Sequence, residues 1–294
     1  MNTLWRFSAT LLAFLSLFKA SRSHSGTPVL TADEIAKVNN LVSSLPKYHI
    51  KLTHIKVHTY FHVITDGAIG KVHDMQLQTQ MRVLNERFSS IGISFKLIDV
   101  TYTNNADWYY NCWQGGNELK ASFEMKAALR RGGKAALNVY FVDLKDGPTG
   151  YSFFPWDIST KGLMKDGIVM NNRAIPGGTR TNYNMGVQLV HEVGHWLGLY
   201  HVFPQVRGVC APDIDKVPDT PATAYPASEG DGDHLCPLHR DSCPGLPGKD
   251  VSSYFFKSLS RMVCREMFSY ICLCILFHTS PLQTTWITVL IGVW

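Results

Sequence analysis

The 294-residue chain carries 28 Lys+Arg against 23 Asp+Glu, a formal charge of +5, with 45% hydrophobic and 17% charged residues. These proportions exclude a disordered polymer, a collagen-like repeat and a supercharged nucleic-acid tail, and they allow a sizeable core in one or two domains. Seven cysteines are too few for a disulfide-scaffold miniprotein.

Arg6 precedes an apolar run, Phe7 to Phe18, and Ser21 and Ser23 follow with the spacing of a cleavage site. Residues 1–23 are therefore expected to be a secretory signal, which implies an oxidising, extracellular destination. Residues 24–50 are polar, with a short helix predicted from Ala32 to Leu45. They are expected to form a pro-segment, and they hold no Cys that could cap a metal.

Ile55, Val57, Thr59, Phe61 and Val63 alternate with polar or aromatic neighbours, a period of two that predicts a half-buried strand. His54, His58 and His62 share one face of that strand. Four residues of strand span ~13 Å, too far for them to share an ion, so a polar sheet face is expected. Leu77, Met81, Leu84 and Phe88 recur at helical spacing within Asp74–Ser90, and Gly92 is a natural stop. Ile93–Thr101 reads as a strand, Glu118–Arg131 as a helix, and Leu137–Leu144 as a strand. Gly150–Trp156 and Gly167–Asn171 are shorter strands, and a helix follows from about Asn184 to Leu199. Alternation of strands with helices predicts a mostly parallel sheet with crossover helices.

Residues 191–201 read His-Glu-Val-Gly-His-Trp-Leu-Gly-Leu-Tyr-His. His191 and His195 lie one helical turn apart on one face, so both imidazoles can reach one ion. Glu192 stands beside the first of them, where it can take a proton from metal-activated water. Gly198 can adopt a positive φ, letting the chain swing His201 round as a third ligand. Three neutral nitrogens leave one coordination position open, the arrangement of a catalytic zinc. A distant Glu is the alternative third ligand. The first after Glu192 is Glu229, in a Gly/Asp-rich stretch without helical pattern, so His201 is preferred.

This segment resembles the metzincin signature. With Leu84-Asn85, Gly150 to Pro155, Asp166 to Val169, Pro176-Gly177-Gly178, Asp219-Thr220-Pro221 and Asp241 to Pro244, it resembles the pappalysin-type metalloproteases, specifically their small secreted fungal and bacterial members. The resemblance runs from about Lys56 to Asp250. It implies an α+β, metzincin-like (zincin) domain over residues 51–250, with an upper subdomain to about residue 201 and an irregular lower part over 202–250. It also implies a five-stranded mixed sheet whose antiparallel edge, near Gly150–Pro155, pairs with extended substrate. Zn2+ would be held by His191, His195 and His201, with Glu192 as general base. Cys210 would pair with Cys243, and Cys236 with a Cys beyond the Met-turn.

That Met-turn, an Asn-Tyr-Met-Asp-like segment, is missing after Asp250. Met262 and Met267 lack the expected neighbours. Residues 267–294 hold no Asp, Glu, Lys or Arg, and break into two apolar runs around Pro281, each too short to span a bilayer. Val251-Ser252 can be encoded by a common 5′ splice signal, so residues 251–294 are expected to derive from a retained intron or an incorrect gene model. Asp213, Asp215, Asp219, Asp231 and Asp233 form an acidic stretch, for which a solvated loop is preferred over a structural Ca2+ site.

The expected function is secreted zinc endopeptidase. Its partners would be protein or peptide substrates, with no nucleic acid and no membrane, and the protein would be a monomer. The alternatives are a catalytically impaired zinc protein that only binds peptides, and a membrane-attached surface form using the tail.

Overall fold

The computed structural model describes residues 25–44, 54–89, 92–157, 162–204, 206–211, 221–225 and 241–246. The expected signal (1–23), the tail (251–294), the acidic stretch and Cys236 lie outside them. In chain order the elements are α1 (Ala32–Ser44), β1 (Ile55–Thr65), α2 (Asp74–Phe88), β2 (Ile93–Asn104), α3 (Ala106–Tyr110), β3 (Trp113–Gln114), β4 (Asn117–Glu118), α4 (Lys120–Leu129), β5 (Leu137–Val142), β6 (Gly150–Ser152), a 3-10 turn (Leu163–Lys165), β7 (Ile168–Asn171) and α5 (Val187–Trp196).

Five strands form one sheet in the order β2-β1-β5-β7-β6. The pairs β1–β2, β1–β5 and β5–β7 are parallel, whereas β6 runs antiparallel to β7 and forms an edge. β5 and β7 are buried at every residue, as strands covered on both faces must be. α2 and α5 cover one face, where Leu77, Leu84 and Phe88 meet Phe61, Val139, Val190 and Val193. α3 and α4 cover the other, through Tyr109, Met125, Tyr140 and Tyr151. The expected five-stranded mixed sheet with an antiparallel edge is present.

Polar side chains lock this frame. Asn85 brackets Phe95 of β2, its Oδ1 accepting from the backbone N at 2.7 Å and its Nδ2 donating to the backbone O at 3.0 Å. Gln80 donates to the Gly186 carbonyl at 2.7 Å and ties α2 to the start of α5. Cys210 and Cys243 form the disulfide that the resemblance implied, and Cys112 is buried and free. No helix among the described residues is long and apolar enough to cross a membrane.

Several boundaries differ from the periodicity. β1 is half-buried only at its start. His62 is fully buried, stacked on Tyr140 at 4.8 Å and bonded to Thr101 and Asn138, because strands flank β1 on both sides and helices cover both faces. Burial holds its pKa below the ordinary imidazole value. His54 and His58 remain exposed, as a polar face requires. The helix expected at Glu118 starts at Lys120, since Glu118 belongs to a two-residue hairpin. Its carboxylate is buried against Lys126 at 2.9 Å. The strand from Gly150 ends at Ser152, where Phe154 turns inward to pack on His195.

Candidate active site

α5 is amphipathic in a particular sense. Val187, Val190 and Val193 join the core, while His191, Glu192 and His195 face β6 and the turn after the helix. Gly198 sits at φ +99°, a region costly for any residue with a Cβ, and this reversal brings His201 back toward the helix. The Nε2 of His195 lies 2.9 Å from that of His191 and 3.2 Å from that of His201. All three rings are buried.

His195 Nδ1 is 2.7 Å from the Leu199 carbonyl. A carbonyl only accepts, so Nδ1 carries the hydrogen, and in a neutral ring Nε2 then presents a lone pair. Burial lowers the His195 pKa to about 4. Burial and the neighbouring imidazoles push His191 and His201 well below the ordinary value. Uncharged imidazoles packed this closely fit one shared cation, and the Leu199 carbonyl is the orienting partner such ligands ordinarily have.

Glu192 is 1% exposed. Its Oε2 accepts from the Thr27 hydroxyl at 2.8 Å, and its Oε1 has no partner among the described residues. Burial pushes the carboxyl up to about 7, against the hydrogen bonds from Thr27 and Ser25 that pull it down. A carboxylate poised there can accept and return a proton near neutral pH. Gly150 of β6 crosses directly over it: a Cβ at 150 would lie 3.2 Å from Glu192 Cγ and 2.7 Å from Met170 Sδ. Any larger residue would displace Glu192 or the edge strand.

Two supporting features were given no role by the sequence pattern, although Phe154 and Asp166 lie in segments that carry the resemblance. Asp166, fully buried before β7, accepts from Trp196 Nε1 at 2.9 Å and from Arg130 Nε at 2.9 Å, so it clamps the end of α5 to α4. Phe154, Trp156 and Tyr200 form an aromatic cluster beside His195. Phe154 stacks on Trp156 at 4.7 Å and meets Tyr200 edge-on at 5.7 Å. Thr27 was equally invisible, because Ser-Gly-Thr-Pro reads as an ordinary loop. An aspartate before a Gly-led buried strand is the only hint that could have pointed to Asp166.

Comparison with known proteins agrees with this arrangement. A peptidase family M43 model, described as pregnancy-associated plasma protein-A, matches residues 132–243. An extracellular metalloprotease of Arthroderma benhamiae is 38% identical over 255 residues, covering 85% of this chain and 82% of that protein. One from Colletotrichum graminicola is 40% identical over 221 residues, covering 73% and 72%. Among solved structures, a promirolysin variant of Tannerella forsythia aligns with a TM-score of 0.52 at 23% identity, over 66% of this chain and 71% of that one, a likeness of fold. By sequence, the chain belongs to the pappalysin-type metalloendopeptidases of family M43.

Proposed function

We propose that the protein is a secreted zinc endopeptidase, with His191, His195 and His201 as the metal ligands and Glu192 as the general base. The observation that carries this reading is the meeting of three buried Nε2 atoms beside a buried carboxylate. Secretion is supported by relatives named extracellular. When bound, zinc supplies Lewis acidity, polarising the scissile carbonyl and lowering the pKa of a water molecule. Glu192 takes a proton from the attacking water. As the C–N bond breaks, the same carboxyl returns that proton to the leaving amine. An extended peptide is held by pairing with β6, the last strand of the sheet among the described residues.

Stripping the metal with a chelator should reduce hydrolysis of a quenched fluorescent peptide to background, and restoring one equivalent of zinc should return it. Hydrolysis that persists after the zinc is gone would overturn the reading. One bound zinc with no hydrolysis, in the full chain and in its Thr27→Val variant alike, would favour the peptide-binding alternative.

Residues 25–44 act as the pro-segment in this reading. Ser25 bridges Gly150 in the parallel sense, and Gly26 N donates to Gly150 O at 2.8 Å. Thr27 Oγ1 accepts from Ser152 N at 2.9 Å while donating to Glu192. The segment therefore occupies the substrate edge and ties up the base. Hydrogen bonds to charged groups contribute about 1.5–3 kcal/mol, so Thr27→Val in the full chain should raise the initial hydrolysis rate about tenfold at unchanged zinc content. An unchanged rate would remove Thr27 from the latency.

A further inference from the structure

An apolar pocket lies beside the third imidazole. Its fixed walls are Phe154, Tyr200, His201 and Phe203, and its remaining boundary is Pro28, Val29, Leu30 and Ile35 of the segment that occupies the cleft. Phe203 packs on His201 at 4.8 Å and Phe154 on Tyr200 at 5.7 Å, so three rings and an imidazole make one continuous wall. Among the described residues, no Asp, Glu, Lys or Arg lines it.

We propose that this pocket is a substrate subsite that selects an aliphatic side chain, and that Val29 and Leu30 fill it until the segment leaves. The inference rests on the endopeptidase reading and deepens it by naming the substrate class.

Three observations carry it. First, the pocket is continuous with the reacting centre. Thr27 is bonded to Glu192, and Val29 and Leu30 follow only two and three residues later. An extended chain advances at most ~3.3–3.6 Å per residue, so a peptide positioned at Glu192 reaches the pocket with a residue two or three places from its scissile bond. Second, the side chains that the segment lays against the aromatic wall have the chemistry the pocket would select. Val29 and Leu30 are half-buried there, and Ile35 is 4% exposed. Third, the aromatic wall offers no countercharge. An acidic or basic side chain placed there would be desolvated without a partner, whereas a Leu or Ile would gain its burial energy.

The direction of the substrate fixes which side of the bond is read. The segment runs parallel to β6 at the Ser25–Gly150 bridge. Antiparallel pairing is the better hydrogen-bonded arrangement per residue. A substrate taking that direction approaches β6 from the Phe154 end, so the pocket receives the second or third residue before the scissile bond.

The test uses the zinc-loaded full chain carrying Val29→Asp and Leu30→Asp together, which evicts the segment from the pocket by the same desolvation argument. Cleavage of a randomised peptide library should then show Leu, Ile or Val favoured over Asp by about tenfold or more at the second or third position before the cut. Adding Phe203→Lys should lower that preference and create one for Asp and Glu, a change of selectivity that a merely structural role for Phe203 would not produce. A flat profile at both positions in a chain that hydrolyses the library overturns the pocket and leaves the endopeptidase reading standing. A chain that hydrolyses nothing overturns the endopeptidase reading instead. The pocket is then judged by fluorescence anisotropy with two labelled peptides, one with Leu and one with Asp at that position. Equal dissociation constants overturn it, and tighter binding of the Leu peptide upholds it.

Discussion

A Glu192→Gln chain should keep its zinc and lose roughly two to four orders of magnitude in kcat/KM, the usual worth of a positioned acid–base group. The substitution is nearly isosteric. The amide oxygen can still accept from Thr27, and Gln fits the space under Gly150 that Glu192 occupies. The three Nε2 atoms belong to other residues and keep their places. What disappears is the ability to hold and return a proton. Metal content by atomic absorption, measured beside peptide hydrolysis, separates this outcome from loss of the site. Near-normal turnover with the zinc retained would move the base elsewhere.

The second large effect is on stability. Asp166→Ala removes a fully buried carboxylate and leaves the Arg130 guanidinium, itself 10% exposed, without its partner in the interior. Breaking a buried pair in this way costs about 3–5 kcal/mol. In a domain of this size each kcal/mol lowers the melting temperature by about 2–4 °C, so a fall of roughly 6–20 °C is expected in thermal unfolding at saturating zinc. Trp196 also loses its acceptor, and Trp196 directly follows the second imidazole in the chain. Asp166→Asn should recover part of the loss, because an amide oxygen can still accept from the indole. A shift below about 2 °C for the alanine variant would show that the clamp carries little load.

Much of this architecture could be read in advance, and the reasons are local. The histidine–glutamate constellation is compact, and helical spacing plus one glycine suffices to place His191, Glu192, His195 and His201 together. The long helix expected over Asp74–Ser90 and the strand expected from Ile55 to Val63 announced themselves by periods of 3.6 and 2, and both are present. His62 did not, because alternation describes one strand and says nothing of neighbours that bury both its faces. Glu118 misled for a similar reason. Its charge suited a helix start, whereas the fold uses it as the buried partner of Lys126. Thr27 and Asp166 act across 165 and 30 residues of chain, and no short window, not even the quoted Asp166 to Val169, tells which distant side chain such a residue will meet.

The edge strand β6 is only three residues long. An uncovered strand edge is a template for any extended polypeptide, including another copy of the same protein, and long flat edges invite fibrous self-association. A protease that seizes its substrates by backbone pairing cannot blunt that edge with proline or charge without losing its grip. Brevity resolves the conflict. In the proposed pairing, three residues would offer enough backbone groups to align a peptide over Glu192, and too few to sustain growth of a stacked sheet. The same shortness predicts a solubility limit, since lengthening the edge beyond Ser152 would strengthen the hold on peptides and raise the tendency to aggregate together.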